Sequence, residues 1–238
     1  MDRTAYLLYG KHDPVVRDGW RYYNSNSYSN NSYMRPGALL RTLENHLPPG
    51  VMARIMRTWY QRYKFQHPTS RDFARLASEV SGRDLNWFFD QFVFGTNELN
   101  YRVAEVSSEK IATSLGSFLE DGKRVEITKK DADARKKEPE QYRIVVKLVR
   151  EGESVFPVDM DMLLENGELV RHHWDGVDRW LKLEFTKASK PRAVEIDPGR
   201  KILLDSSFAD NSWRASTYPL PLAKWSSNLL FWMQMVLP

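Results

Sequence analysis

Residues 84–106 read Asp84-Leu-Asn-Trp-Phe-Phe-Asp-Gln-Phe-Val-Phe-Gly-Thr-Asn-Glu-Leu-Asn-Tyr-Arg-Val-Ala-Glu-Val106, and the apolar period changes inside this stretch. Leu85, Phe88, Phe89 and Phe92 recur at the three- and four-residue spacing of one helical face. Asp84 is the expected cap of that helix and Gly95 its expected end. Beyond residue 99 the spacing becomes alternate, with Tyr101, Val103 and Val106 on a first strand. One switch of period at one place predicts an α+β chain: a helical part before it and an antiparallel sheet part after it.

Working upstream, residues 1–97 read as an all-helical segment after an irregular start. The tract Asn24 to Ser32 is rich in Asn, Ser and Tyr and is expected to be loop, with a helix beginning near Met34. Leu40, Leu43 and Leu47 give that helix its stripe, and Pro48-Pro49-Gly50 stops it. Met52, Ile55, Met56, Trp59, Tyr60 and Tyr63 form one face of a second helix, with Arg54, Arg57 and Arg62 opposite. Thr69 or Ser70 caps a third helix that buries Phe73, Leu76, Ala77 and Val80, and Gly82 ends it.

Downstream, residues 98–208 carry strand periodicity. Val125 with Ile127, Tyr142 to Leu148, Phe156 to Met162, Trp180 to Phe185, and Val194 with Ile196 all alternate. Asn166-Gly167 is a hairpin signal leading to Leu169 and His172. Asp197-Pro198-Gly199 is a turn, and Ile202 to Leu204 closes the series. Short strands at this spacing predict an immunoglobulin- or fibronectin-like antiparallel β-sandwich. Residues 209–238 form a tail, broken at Pro219 and Pro221, whose end from Trp225 to Leu237 is apolar and free of acids. That end is too short to span a bilayer. The favoured reading is a helix packed on its own protein, ahead of a membrane-surface segment or an oligomer contact.

Composition narrows the classes. Of 238 residues, 42% are hydrophobic and 28% charged, which is ordinary for a folded chain that can bury a core. The formal net charge is +4, a mild excess. The densest basic run, Lys129, Lys130, Arg135, Lys136 and Lys137, is interrupted by Asp131 and Asp133, so it reads as a solvated loop and no nucleic-acid partner is expected. Without cysteine there is no disulfide and no thiolate metal site. The compartment is left open.

Motifs of a complete active site are missing from the sequence. The five histidines are His12, His46, His67, His172 and His173, and none makes the His-Glu-x-x-His spacing that puts two imidazoles on one helical face. His172 and His173 are adjacent, so on a strand they face opposite ways. Asp159 and Asp161 share a strand face and read as its wet side. There is neither a Gly-x-Ser-x-Gly elbow nor a phosphate-cradling loop.

The helical segment nevertheless resembles the aminopeptidase N-like family of gluzincin metallopeptidases. The likeness rests on Tyr33-Met34-Arg35-Pro36-Gly37-Ala38-Leu39-Leu40 with Leu43-Glu44, and on Tyr63-Lys64-Phe65-Gln66-His67-Pro68-Thr69-Ser70-Arg71-Asp72-Phe73. It continues through Val80-Ser81-Gly82-Arg83-Asp84-Leu85 and Trp87-Phe88-Phe89-Asp90-Gln91. It covers roughly residues 15–100, the sheet part only in architecture, and the tail not at all. The resemblance implies a zinc peptidase that removes N-terminal residues from peptides, of which this chain is a C-terminal portion without the zinc ligands. By position Tyr33 matches the tyrosine of the family's Tyr-x-Lys-Gly motif, which donates to the oxyanion. Arg35 stands where the family has Lys, and Pro36 is inserted before Gly37. A tyrosine packed at a helix start is the other reading of Tyr33. The implied partners are the peptide substrate of the parent and an upstream catalytic domain of the same polypeptide. Zinc is the implied cofactor of that parent, and none is expected in this chain. A non-catalytic scaffold and a protein- or peptide-binding module on the same fold are the rival functions.

Overall fold

The computed structural model describes residues 12–111, 116–120, 123–127 and 140–216, with the single positions 226 and 233. The basic run from Lys129 to Lys137 and nearly all of the Trp225–Leu237 end lie outside the described residues.

The polar tract expected to be loop is helical. Helix α1 (Ser25–Ser29) runs into a π-helical turn (Asn30–Met34) and then into α2 (Arg35–His46) without interruption. Asn24 supplies the cap, its Oδ1 accepting from Ser27 N at 2.8 Å. The asparagines that argue against a helix instead serve it from the side. Asn30 Nδ2 donates to Asn26 O at 2.9 Å and Asn31 Nδ2 to Ser27 O at 3.0 Å. Ser27, Asn30 and Asn31 are buried, so tertiary polar contacts override weak intrinsic propensity.

The later helices follow the sequence more closely. Gly50 takes φ 79° at the start of α3 (Val51–Tyr63). Val51, Met52 and Ile55 are buried there, but Met56 and Tyr60 are 45% and 69% exposed, so part of the expected apolar face is bare. Helix α4 (Ser70–Ser81) opens with a full capping box between Thr69 and Asp72 and ends at Gly82 with φ 67°. Helix α5 (Asn86–Phe92) starts later than expected: Leu85 is its cap residue, and Asp84 accepts from Asn86 N at 2.9 Å. It also stops at Phe92 rather than at Gly95. A Cβ at Gly95 would lie 2.8 Å from Asp90 O, so a close backbone approach selects that glycine.

All strand pairs are antiparallel. One sheet has the order β1 (Tyr101–Lys110), β4 (Tyr142–Arg150), β7 (Trp180–Lys187). Another has the order β6 (Leu169–Trp174), β5 (Val158–Leu164), β8 (Pro191–Ile196), β9 (Ser212–Arg214). A hairpin of β2 (Gly116–Glu120) and β3 (Lys123–Ile127) stands apart from both. The protein is therefore a mixed α+β chain of a short helical segment and antiparallel sheets.

The alternation read from the sequence is the observed one. Ile144, Val146 and Leu148 of β4 point into the same core as Val158, Met160, Met162 and Leu164 of β5 and Val194 and Ile196 of β8. Two expectations fail at the ends. Phe156 precedes β5 and packs against Trp87, Phe88 and Phe92 instead, stitching the helices to the sheet. Ile202 to Leu204 is a turn rather than a strand. Ile202 and Leu204 are buried, while Leu203 N donates to Thr42 Oγ1 of α2 at 3.1 Å. Alternating burial without strand geometry is what a turn wedged between two layers produces. The fourth strand of the larger sheet is β9, which lies in the stretch assigned to the tail.

Helices and sheets share one apolar core. Polar ties close the seam: Gln91 both accepts from Val155 N at 2.7 Å and donates to Val155 O at 3.2 Å, and Asn45 Nδ2 donates to Lys201 O at 2.9 Å.

Candidate functional site

Tyr33 lies in the π-helical turn with its side chain 66% exposed. Two residues on, Arg35 is 1% exposed and points the opposite way. Its Nη1 donates to Asp13 O at 3.0 Å and to Asn31 Oδ1 at 3.3 Å. The Asp13 carboxylate beneath them accepts from Ser27 Oγ at 2.5 Å, from Tyr23 N at 2.8 Å and from Arg17. Burial pushes that carboxyl up, but the Ser27 and Tyr23 hydrogen bonds and the Arg17 guanidinium more than offset it, leaving it below the usual carboxylate range. The turn that carries Tyr33 is thus clamped from within by a charged network whose centre, Asp13, Ser27, Asn31 and Arg35, is buried. Arg35 belongs to that clamp. Pro36 follows inside this continuous helix, where its missing N–H leaves a carbonyl of the preceding turn without its usual ladder donor.

The outer side of α2 is open. A groove of about 590 Å³ runs between α2 and α3, lined by Gly37, Leu40, Met52, Ala53 and Met56, with Arg41 and Glu44 at its rim. A second, of about 370 Å³, is lined by Val15, Pro36, Leu39, Trp59 and Phe73 among others. Tyr33 is one of several exposed aromatic side chains of the helical segment, with Trp20, Tyr23, Tyr60 and Phe65.

A different cleft, of about 300 Å³, opens where α2 meets the larger sheet, between His46, Phe156, Asp159, His173, Asp197 and Lys201. His46 packs edge-on against Trp87 and Phe156. Burial, Arg83 and His173 together hold its imidazole below the usual histidine value. His173 Nδ1 sits 2.8 Å from Asp159 Oδ1 on the solvent side. Asp161 likewise pairs with Arg171 at 2.7 Å, so both acids occupy the wet strand face expected of them. His172 and His173 fall on opposite faces of β6. Among the described residues no three His, Cys, Asp or Glu side chains converge as a metal-binding group.

No family model matches the sequence, and no curated protein does either. Among solved structures, aminopeptidase A of Legionella pneumophila, determined in complex with aspartic acid, is similar at 14% identity and a TM-score of 0.43. The likeness covers 77% of this chain and 18% of that one, so the chain spans less than a fifth of that neighbour's length.

Sequence reasoning singled out Tyr33 and missed the clamp beneath it. Asp13 lies in an unpatterned lead, and nothing local to Arg35 points to a partner that far away in the chain. The His46 cleft was equally hidden, because its walls come from positions 46, 156, 159, 173 and 201.

Proposed function

We propose that the chain is the downstream portion of a zinc aminopeptidase-like enzyme and that its helical segment forms a wall of the active-site cleft. On this reading the zinc ligands and the catalytic Glu belong to polypeptide preceding this chain, and the zinc would supply activated water there. The chain itself contributes the Tyr33 phenol. Held near a peptide carbonyl under attack, its O–H donates to the oxygen on which charge develops, an interaction made in the transition state and worth roughly 10²–10³ in rate for comparable donors. The observation that carries this reading is the pairing of an exposed phenol with a rigidly clamped backbone. A side chain that must meet a reacting atom needs both. The three- and four-strand sheets, read as a fibronectin-like sandwich, would brace the wall from behind.

The test uses the full-length polypeptide reached by extending the reading frame upstream of Met1. Tyr33→Phe should lower kcat/KM for an aminoacyl substrate by about 10²–10³ and leave Tm unchanged, because the hydroxyl is exposed. Full activity in that variant would sink the assignment. The 238-residue chain alone, loaded with zinc, should release no amino acid from the same substrate.

A second reading, a non-catalytic peptide- or protein-binding scaffold, draws on the open apolar grooves along α2 and α3. It predicts that the isolated chain binds an extended or helical peptide, and that an upstream frame lacks His-Glu-x-x-His.

A further inference from the structure

After Leu204 the chain turns back along the junction between the helical segment and β1. Asp205 bridges Leu99, Ser206 N donates to Leu99 O at 2.8 Å, and Val103 N donates to Asp210 O at 3.0 Å. This path brings the side chains of Asn100, Asp205, Asp210 and Asn211 together. Asn211 Nδ2 donates to Asp205 Oδ2 at 2.9 Å, and Asn100 Nδ2 to Asp210 Oδ2 at 3.2 Å. Ser207 N is shared between Asp205 Oδ1 at 2.9 Å and Asn100 Oδ1 at 3.1 Å.

Acceptors outnumber donors here. Asp210 Oδ1 and Asn211 Oδ1 are both buried without a hydrogen-bond partner. Asn211 is 4% exposed, and its amide is pinned against the Asp205 carboxylate, so the unpartnered oxygen cannot swing out to water. Buried polar oxygens are normally satisfied, and two adjacent exceptions beside two carboxylates need a positive partner.

We propose that this loop is a binding site for one hard divalent cation of the calcium class, with oxygens of Asp205, Asp210 and Asn211 among its ligands. The donor set is oxygen only, with no imidazole or thiolate, which excludes a preference for zinc. Calcium accepts carboxylate, amide and main-chain oxygens in irregular arrangements at about 2.3–2.6 Å, whereas magnesium demands a near-ideal octahedron. Asp210 is only half buried and gives the ion its way in. A cation held here would lock the 205–211 loop onto Asn100, where the helical segment passes into β1. The site is independent of the peptidase reading, and nothing in it depends on Tyr33.

The test is isothermal titration of the chelator-treated chain with calcium chloride, with magnesium chloride as the comparison, and a thermal melt at each calcium concentration. One ion per chain, a saturable rise of a few degrees in Tm and weaker binding of magnesium are expected. Asp210→Asn keeps the shape and removes the charge, and it should abolish the calcium-dependent rise while its circular dichroism stays native. Should that variant fail to fold, Asn211→Ser removes another proposed ligand oxygen with a smaller change and should likewise abolish the rise. No stoichiometric calcium binding by the wild-type chain, or binding undiminished in the folded variant, would overturn the proposal.

Discussion

Arg35 finds a partner far from it in sequence, at Asp13. It follows a candidate catalytic tyrosine and precedes a helix, yet it is buried and spent on Asp13 and Asn31. Arg35→Leu would keep the volume and strand the Asp13 carbonyl and the Asn31 amide oxygen. We expect a loss of about 2–4 kcal/mol in urea unfolding, since breaking one side of a buried charged network costs more than the network itself contributes. Asp205 gives a residue-scale signature in pH. Its folded pKa, about 7, is above the unfolded value of 3.8, so the folded state holds this proton better. The resulting stability is complete below the unfolded value and is lost as pH rises through about 7. Melts in chelator should therefore show wild-type Tm falling from pH 4 to pH 8 more steeply than that of Asp205→Asn. Equal slopes would show that this carboxyl does not titrate in that window.

At the level of elements, local rules were legible wherever a single residue's chemistry decides. The Thr69–Asp72 capping box is one case, and Thr69→Ala should cost about 1 kcal/mol in a chemical melt. Gly82, Gly167 and the Asp197 turn fall where turn chemistry places them. Gly176 is less obvious. It has φ 72°, and a Cβ there would collide with the Phe156 carbonyl that also accepts from the Tyr101 hydroxyl. Gly176→Ala should lower Tm far more than any cap variant. The strand alternation of β4, β5 and β8 was readable because one face of each meets the core. What the sequence hid was cooperative. The 24–32 tract looks like loop residue by residue, but its own asparagines cap and brace the helix and Asp13, distant in the chain, anchors it through Ser27. Ile202 and Leu204 read as strand because burial alternates there, but Thr42 captures Leu203 N before any ladder forms. The candidate site was half legible for the same reason: Tyr33 sits in a motif, while its clamp and the His46 cleft are assembled from separated segments.

For the whole molecule, the bare side of α2 and α3 governs behaviour in solution. Leu40 and Met56 line the open grooves, Tyr60 of the same helix as Met56 is exposed, and a contiguous apolar surface tends to be covered. Purified chain should self-associate with rising concentration, and Met56→Glu should shift sedimentation toward monomer; identical profiles for both would place the association elsewhere. The π-helical turn sets how that side is aimed. A wide turn holds one residue more than an α-helical ladder needs, and each residue of helix subtends about 100°. The turn therefore acts as an angular offset, a phase set between the α1 end and the rest of the rod. Deleting Ser32 would cancel the offset. The ladder would close as ordinary α-helix, and Ser27 would rotate off Asp13 and Asn31 off Arg35 while α2 kept its footing on the sheet. A single-residue deletion in that turn should thus disengage the N-terminal lead from an otherwise intact fold, seen as faster amide exchange before residue 34 and unchanged exchange in the strands.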